Sequence, residues 1–379
     1  MRGVGVRECL RGSPDNRAAG GAACPRHRTI NDSLEINVAS NRLEEKLERI
    51  RKDSTVKDFA ICDAKDGDMG GGIPMPGAVR GADGKPTGKW KTREAHLQQI
   101  RDIVRQDIVD LMLVSVSTLE ILKEEGLFEG SRVGTAIRAN DTTEIKGPRN
   151  SQYRKTASLP FRTAEIPHAM YGRLDVEPGT PPTLTDLGLY SVTFVGDAEQ
   201  DREALNHYRD FRAEAEEWGF KHFLEVFNPN VGFENNSIEE IGDFVNDSIL
   251  HAIAGVPRIA QPQFLKMPFN GPKALTELAE YDPRLIVGIL GGGAGTTRDT
   301  FELLAASQKY GARLVLFGRK INLAEHPLAI VKLMKAIVDG ETSPAEAVKA
   351  YHGELETAGI RPFRDLSADM EITEAVLKM

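Results

Sequence analysis

Three apolar segments in the C-terminal half of the chain decide the fold: Phe264-Leu265-Lys266-Met267, Leu285–Leu290 followed by Gly291-Gly292-Gly293, and Leu314–Phe317 followed by Gly318-Arg319. Each has the length and composition of a buried strand in a parallel sheet. A segment with apolar residues three and four positions apart separates the second from the third and predicts a helix. Strand, helix and strand in this order indicate a βαβ unit.

The same alternation extends back to about Ile36 and predicts an α/β fold. Eight strands are predicted: Asp58–Asp63, Ile108–Val114, Arg132–Ile137, Tyr190–Val195, His222–Phe227, Gln263–Met267, Leu285–Leu290 and Arg313–Phe317. The predicted helices are Thr92–Arg105, Asp201–Trp218, Ser237–Ala254, Thr297–Gln308 and His326–Val338, with Asn31–Arg51 covering the bottom of the barrel. Eight such strands predict a (β/α)₈ TIM barrel, formed as a single domain by residues 31–379.

Two long insertions interrupt the regular spacing. Gly67–Gly88 follows the first strand, and Arg138–Asp186 follows the third and is expected to hold a helix around Thr163–Tyr171. In a barrel both would lie on the face formed by the carboxyl ends of the strands, where active sites of this fold are built. They are candidate lids over the active site. The alternative is that they are solvent-exposed loops or form contacts between subunits.

Composition narrows the class of protein. The 379 residues include 48 basic and 56 acidic ones, a net charge of −8 that does not favour general nucleic-acid binding. No segment approaches 18 consecutive apolar residues, and the three cysteines lack the spacing of a zinc site or a disulfide framework. We therefore expect a cytoplasmic protein. Residues 1–30, rich in Arg and Gly, are expected to be a disordered extension, with an over-long start or a targeting peptide as alternatives.

Lys266 is a lysine within an apolar strand. Burial disfavours the ammonium form, and a neutral amine is a nucleophile toward carbonyl groups, which is the starting condition for Schiff-base catalysis. A lysine at a strand end that points into solvent is the alternative.

Glycines follow the seventh and eighth predicted strands. Gly291, Gly292 and Gly293 precede a helix, and Gly318 with Arg319 precedes another. Loops at these two places commonly bind phosphate in barrels, through backbone N–H groups and helix dipoles. Tight turns also require glycine, so a purely structural role is the alternative.

Two acidic residues lie at strand ends. Asp63 ends the first predicted strand, and Glu225 lies within the fifth. A carboxylate in an apolar strand must reach the polar opening of the barrel or form an ion pair with a basic side chain. Both residues are therefore candidates for general acid/base chemistry or, alternatively, for structural ion pairs.

The segments LVLFGRKINLAEHPLAIVKLMKAIVD (314–339) and FLKMPFNG (264–271) distantly resemble the class I, Schiff-base aldolases that include archaeal-type fructose-bisphosphate, tagatose-bisphosphate and deoxyribose-phosphate aldolases. The resemblance runs from about Phe59 to Tyr351. It implies that Lys266 forms the imine, that Asp63 ends strand one in the active site, and that the phosphate loops are Gly291–Gly293 and Gly318-Arg319.

Three positions refine the resemblance. Glu225 matches the catalytic glutamate of tagatose-type and sulfosugar-type members, whereas the tyrosine acid/base of fructose-type members would fall near Asn228. Thr193 stands where the tagatose-type enzymes carry a lysine. The resemblance thus implies the type of reaction rather than the substrate.

We expect a class I aldolase that acts on a phosphorylated ketose or a related sugar phosphate, without cofactor or metal. Lys266 would form the imine, Glu225 would move protons and Asp63 would position the amine or a hydroxyl group. A sugar-phosphate binding protein without turnover and a phosphosugar isomerase or epimerase are the alternatives. We also expect a homo-oligomer with no nucleic-acid or membrane partner.

Overall fold

Eight parallel strands close into a barrel in the computed structural model, which describes residues 41–81, 84–145 and 147–379. The strands are β1 Ala60–Ala64, β2 Leu111–Val114, β3 Gly134–Arg138, β4 Leu187–Thr193, β5 Lys221–Phe227, β6 Leu265–Met267, β7 Val287–Leu290 and β8 Leu314–Phe317. Each pairs with its neighbours in sequence, and β1 pairs with both β8 and β2. The predicted TIM barrel and its eight strands are confirmed.

Helices follow the strands as the periodicity predicts. Their bounds are Arg42–Lys52, Gly67–Gly71, Arg93–Gln106, Val116–Glu124, Ile166–Tyr171, Ala198–Trp218, Ile238–Ile253, Pro272–Tyr281, Thr297–Lys309, Arg319–Asn322, Pro327–Val338, Pro344–Thr357 and Leu366–Asp369. Single 3₁₀ turns occupy Tyr153–Lys155, Arg258–Ala260 and Ala375–Lys378. The predicted extension over residues 1–30 and the start of the predicted helix Asn31–Arg51 lie outside the described residues.

Several helices were not among those predicted, including Val116–Glu124, Pro272–Tyr281 and Pro344–Thr357. The last of these has a clear signal in the sequence. Its start carries a capping box, in which the Ser343 side chain accepts from the Glu346 backbone N–H and the Glu346 carboxylate accepts from that of Ser343. Ser-Pro-Ala-Glu is a sequence signal for a helix start, so this helix was predictable.

Side-chain alternation divides the core into two layers. The barrel interior is filled by small and branched residues from every second strand position, and Leu43, Leu47 and Ile50 of the first helix close it from below. The intervening positions pack outward against the helices. Because alternation continues past the last strand residue, the phase of each strand decides which polar side chains reach the mouth.

Both insertions follow carboxyl ends of strands, as predicted. The first contains an antiparallel hairpin of Ala78–Arg80 with Pro86–Trp90, and the second pairs Asp141–Thr142 with Pro160–Phe161. No helix in the described part of the chain is long and apolar enough to cross a membrane.

Candidate active site

A cavity of about 330 Å³ opens at the carboxyl ends of the strands. This active-site cavity is lined by Ala64, Asp66, Gly67, Met75, Arg138, Glu144, Ile145, Arg154, Glu225, Phe227, Lys266, Leu290, Gly291, Gly292, Leu316, Gly318 and Arg319. Met75 comes from the first insertion, and Glu144, Ile145 and Arg154 come from the second. The two insertions therefore form part of its wall.

Lys266 and Glu225 meet within this cavity. They are register partners on the adjacent strands β6 and β5, and Lys266 Nζ lies 2.6 Å from Glu225 Oε1. Their side chains are 5% and 2% exposed, so the pair is removed from bulk water while its polar atoms face the cavity. At this distance a proton can pass directly between amine and carboxylate.

The second carboxylate oxygen of Glu225 is held by two donors. Ser191 Oγ donates to Oε2 over 2.7 Å, and Arg138 Nη2 donates to the same oxygen over 3.2 Å. Arg138 Nη1 in turn donates to Ser191 Oγ over 2.9 Å. Ser191 is the β4 register partner of Glu225, so three neighbouring strands place these groups in one row.

Arg138 also binds acidic groups on its other side. Its Nε donates to Asp66 Oδ2 over 2.5 Å, and Asp141 Oδ1 lies 3.6 Å from Nη1. Burial would lower the pKa of Arg138, but the charges of Asp66, Asp141 and Glu225 outweigh burial and raise it. Burial raises the pKa of Asp141 to about 6, against the opposing influence of Arg138. Arg138 thus remains a fixed positive charge behind Glu225.

The structure does not bring Asp63 to the cavity. In β1 the neighbouring Cys62 and Ala64 face the barrel interior, so Asp63 faces outward, where its Oδ2 lies 3.0 Å from Lys65 Nζ. Both side chains are fully buried, and the two atoms form an ion pair whose geometry is not that of a hydrogen bond. The acid that β1 directs to the cavity is Asp66, on the same face as Cys62 and Ala64.

Four of the five predicted phosphate-binding residues line the cavity: Gly291, Gly292, Gly318 and Arg319. Gly293 does not. Gly292 has φ of +63°, a conformation that favours glycine, and its backbone N–H has no protein acceptor among the described residues.

The N-terminus of helix Thr297–Lys309 is already capped. Thr297 N donates to Asp369 Oδ1 over 2.8 Å, and Asp299 N donates to Thr296 Oγ1 over 3.0 Å. An anion at these glycines would therefore be bound by loop amides and by Arg319 rather than by this helix.

Arg319 and Arg154 face each other at the rim of the cavity. Burial by the cavity walls and the neighbouring charge of Arg154 lower the pKa of Arg319, although more than a third of the side chain remains accessible within the open mouth. Neither guanidinium forms a salt bridge with a carboxylate of the described residues. Two like charges without a bridging acid are what an anion site offers.

Sequence reasoning did not select Arg138, Asp66, Ser191 or Arg154. For the first three a signal existed, because each continues the inward-facing alternation of its strand. Arg154 lies on a turn of the second insertion, which no periodicity places at the cavity.

Thr193 and Asn228, the two departures from the aldolase pattern, are both engaged elsewhere. Thr193 Oγ1 donates to Glu144 Oε1 over 2.5 Å, and the Asn228 and Asn270 amides exchange two hydrogen bonds of 2.8 Å.

Solved structures with the same fold include Schiff-base aldolases. An archaeal fructose 1,6-bisphosphate aldolase is 16% identical, with a TM-score of 0.52 over 79% of this chain and 99% of that one. A fructose-bisphosphate aldolase from Slackia heliotrinireducens is 13% identical, with a TM-score of 0.54 over 82% and 89%.

A third match is an archaeal fructose-1,6-bisphosphate aldolase whose catalytic lysine is covalently bound to the carbinolamine intermediate of its substrate, at 16% identity and a TM-score of 0.52 over 78% and 99%. No protein-family model and no curated protein sequence matches the chain. At these identities the likeness shows a shared fold.

Proposed function

We propose that this protein is a class I aldolase that makes or breaks a carbon–carbon bond in a phosphorylated ketose through an imine on Lys266. The observation that carries the proposal is the 2.6 Å contact between Lys266 Nζ and Glu225 Oε1, nearly buried within a cavity that also holds the glycine loops and Arg319. The amine thus has a proton acceptor and an anchor for the substrate in one place.

In the cleavage direction Glu225 takes a proton from the Lys266 ammonium, and the neutral amine attacks the substrate ketone to give a carbinolamine. Glu225 returns the proton to the departing hydroxyl group, so that water leaves and a protonated imine forms. A base removes the proton of the C4 hydroxyl group, the C3–C4 bond breaks, and its electron pair moves into the imine to give an enamine and an aldehyde. Protonation of the enamine and hydrolysis of the imine restore Lys266.

The surrounding groups orient Glu225 for these transfers. Ser191 and Arg138 fix Oε2, which leaves Oε1 directed at Lys266. Asp66 and Glu144 are the other acids that line the cavity, and Asp66 replaces Asp63 in the proposed mechanism as the group that positions a substrate hydroxyl. The substrate phosphate would bind at Gly291, Gly292, Gly318 and Arg319, which holds the ketone at the amine.

Borohydride trapping tests the proposal. The protein is incubated with dihydroxyacetone phosphate or fructose 1,6-bisphosphate, reduced, digested and analysed by mass spectrometry. We expect a secondary-amine adduct on the peptide that contains Lys266, its loss in Lys266→Met, and a decrease in kcat of about 10²- to 10⁴-fold in Glu225→Gln.

Lys65→Met is the matched control, because Lys65 is an equally buried lysine outside the cavity. The adduct yield of this variant should equal that of the wild type. Full cleavage activity in Lys266→Met, or an adduct on another lysine, would show that the nucleophile is assigned wrongly. Binding without any adduct would favour the isomerase or the binding protein.

A further inference from the structure

A second cavity, here called the outer cleft, lies beside the active-site cavity and is larger, about 590 Å³. The two share Met75, Arg154 and Arg319 as lining residues, so they are continuous at this boundary. A triose or hexose phosphate bound at Lys266 accounts for the inner cavity and leaves the outer cleft without an occupant.

The outer cleft is strongly basic. Five cationic side chains line it: Arg80, Lys91, Arg149, Arg154 and Arg319. None of them forms a salt bridge with a carboxylate of the described residues. The acid in the wall, Glu325, is already engaged, since its carboxylate accepts from the Phe363 backbone N–H over 2.7 Å and from the Tyr351 hydroxyl over 3.0 Å.

These cations repel one another in two places. Arg154 adds to the lowering of the Arg319 pKa, and burial and then the charge of Arg80 lower the pKa of Lys91. Cations that outnumber the acids in a concave site raise the free energy of the empty protein, and a bound anion relieves their repulsion. Two separate pairs of cations repel in this way, which indicates a ligand with more than one negative group.

Two aromatic side chains lie among the cations. Trp90 and Phe363 line the outer cleft and remain 40% and 39% exposed, although large apolar side chains normally pack away from water. The Arg80 guanidinium lies 3.9 Å from the centroid of the Phe363 ring, a cation–π contact. Flat aromatic and guanidinium surfaces bind planar rings by stacking.

We propose that the outer cleft binds a ligand in which two linked phosphate groups are attached to a planar ring system, the chemistry of a nucleoside diphosphate. The ring stacks against Trp90 and Phe363, and the phosphates extend along Lys91 and Arg149 to Arg154 and Arg319. The cleft volume is within the range of sites for ligands of this size. Because Arg154 and Arg319 also line the inner cavity, occupation of the outer cleft competes with a phosphate bound there.

Calorimetric titration with ADP tests the proposal, with Lys266→Met as the host protein. This variant cannot form an imine, so the result does not depend on the proposed aldolase activity. We expect micromolar binding of ADP, at least tenfold weaker binding of inorganic pyrophosphate and of adenosine, and an apparent Kd that rises when inorganic phosphate is added.

Two substitutions locate the site. Lys91→Met should weaken ADP binding by about tenfold or more, as expected for one charged hydrogen bond. Lys89→Met is the matched control, because Lys89 lies in the hairpin strand Pro86–Trp90, two residues before Lys91, is exposed and does not line the cleft. Trp90→Ala should weaken ADP binding without changing pyrophosphate binding.

Each contrary result overturns a stated part of the proposal. Failure of ADP to bind below 1 mM, or equal effects of Lys91→Met and Lys89→Met, would exclude the outer cleft as the site. If pyrophosphate bound as tightly as ADP, a contribution of ring stacking to binding would be excluded. An apparent Kd that phosphate leaves unchanged would exclude contact with the shared arginines.

Discussion

Asp63 and Asp66 show that the position of a residue along a strand decides which side of the barrel wall its side chain faces. Asp63 was the predicted site residue because it ends the predicted strand, whereas in the structure it lies within β1 and Asp66 follows two residues after the strand. The structure pairs Asp63 with Lys65 on the outer side and directs Asp66 to the cavity beside Arg138. The difference is one of phase, because odd and even positions of a barrel strand face opposite sides. The small residues Ala60, Cys62 and Ala64 carried that information, since small residues fit the crowded interior.

A single residue, Asp141, also predicts how the free energy of unfolding depends on pH. It is 2% exposed, burial raises its pKa to about 6, and its Oδ2 has no hydrogen-bond partner within the described structure. The folded protein holds this proton more tightly than the unfolded chain, where the pKa is near 3.8. The contribution of Asp141 to the free energy of unfolding therefore falls as pH rises from about 4 through about 6, by about 3 kcal/mol in all.

Asp141→Asn removes that titration. Its free energy of unfolding, measured in urea, should increase relative to the wild type by about 2 to 3 kcal/mol between pH 4 and pH 7. Asp175→Asn, at a side chain that is 85% exposed, is the control and should show no such trend. A difference between Asp141→Asn and the wild type that is the same at every pH would contradict the assignment.

At the scale of elements, the C-terminal segment after helix Pro344–Thr357 binds to the first turn of helix Thr297–Lys309. The Asp299 carboxylate accepts from the backbone N–H groups of Thr296, Thr373 and Glu374 over 3.0, 2.7 and 3.2 Å, and from the Thr373 hydroxyl. Burial raises the pKa of Asp299, but these donors outweigh burial and lower it. Lys320, at the start of the helix after β8, joins the same segment through Glu374 over 2.7 Å.

Asp299→Asn should therefore destabilise the protein and loosen its C-terminal segment. An amide offers one acceptor where the carboxylate offers two, and its NH₂ group faces other donors, so we expect a loss of about 2 to 3 kcal/mol in the free energy of unfolding. Limited proteolysis should cut this segment faster. Glu371→Gln is the control, because its side chain is exposed on the same segment. Equal stability and equal cleavage in the two variants would show that the Asp299 hydrogen bonds do not hold the segment.

For the whole molecule, the net charge and the local charge at the mouth have opposite signs. The chain carries −8 overall, yet Arg154 and Arg319 lie at the rim of the active-site cavity and three further cations line the cleft beside it. Concave clusters of one sign focus the field, so the local charge should control the capture of an anionic substrate even though the whole protein repels it.

Raising the ionic strength should consequently lower kcat/KM for a phosphorylated ketose. Between about 0.02 and 0.5 M salt the screening length shortens from roughly 20 to 4 Å, and we expect a decrease of several-fold, mainly through KM. Arg319→Met should show a smaller salt dependence. A kcat/KM that rises with salt would mean that the overall negative charge dominates capture.

The sequence by itself determined the barrel, the order of its strands and the presence of Lys266 and Glu225 on neighbouring ones. Apolar periodicity is a local property, readable within ten to twenty residues, so it predicted the eight strands and several of the helices. Only the tertiary structure decided which of these polar groups contact one another. Asp66, Arg138, Ser191, Glu225 and Lys266 come from positions spread over 200 residues, and barrel closure and strand register bring them together. The tertiary structure also decided that Arg154 reaches the cavity. The path of a long insertion is set by tertiary contacts, such as the 2.7 Å hydrogen bond from Asn230 Nδ2 to Thr156 O. No local sequence pattern encodes such contacts.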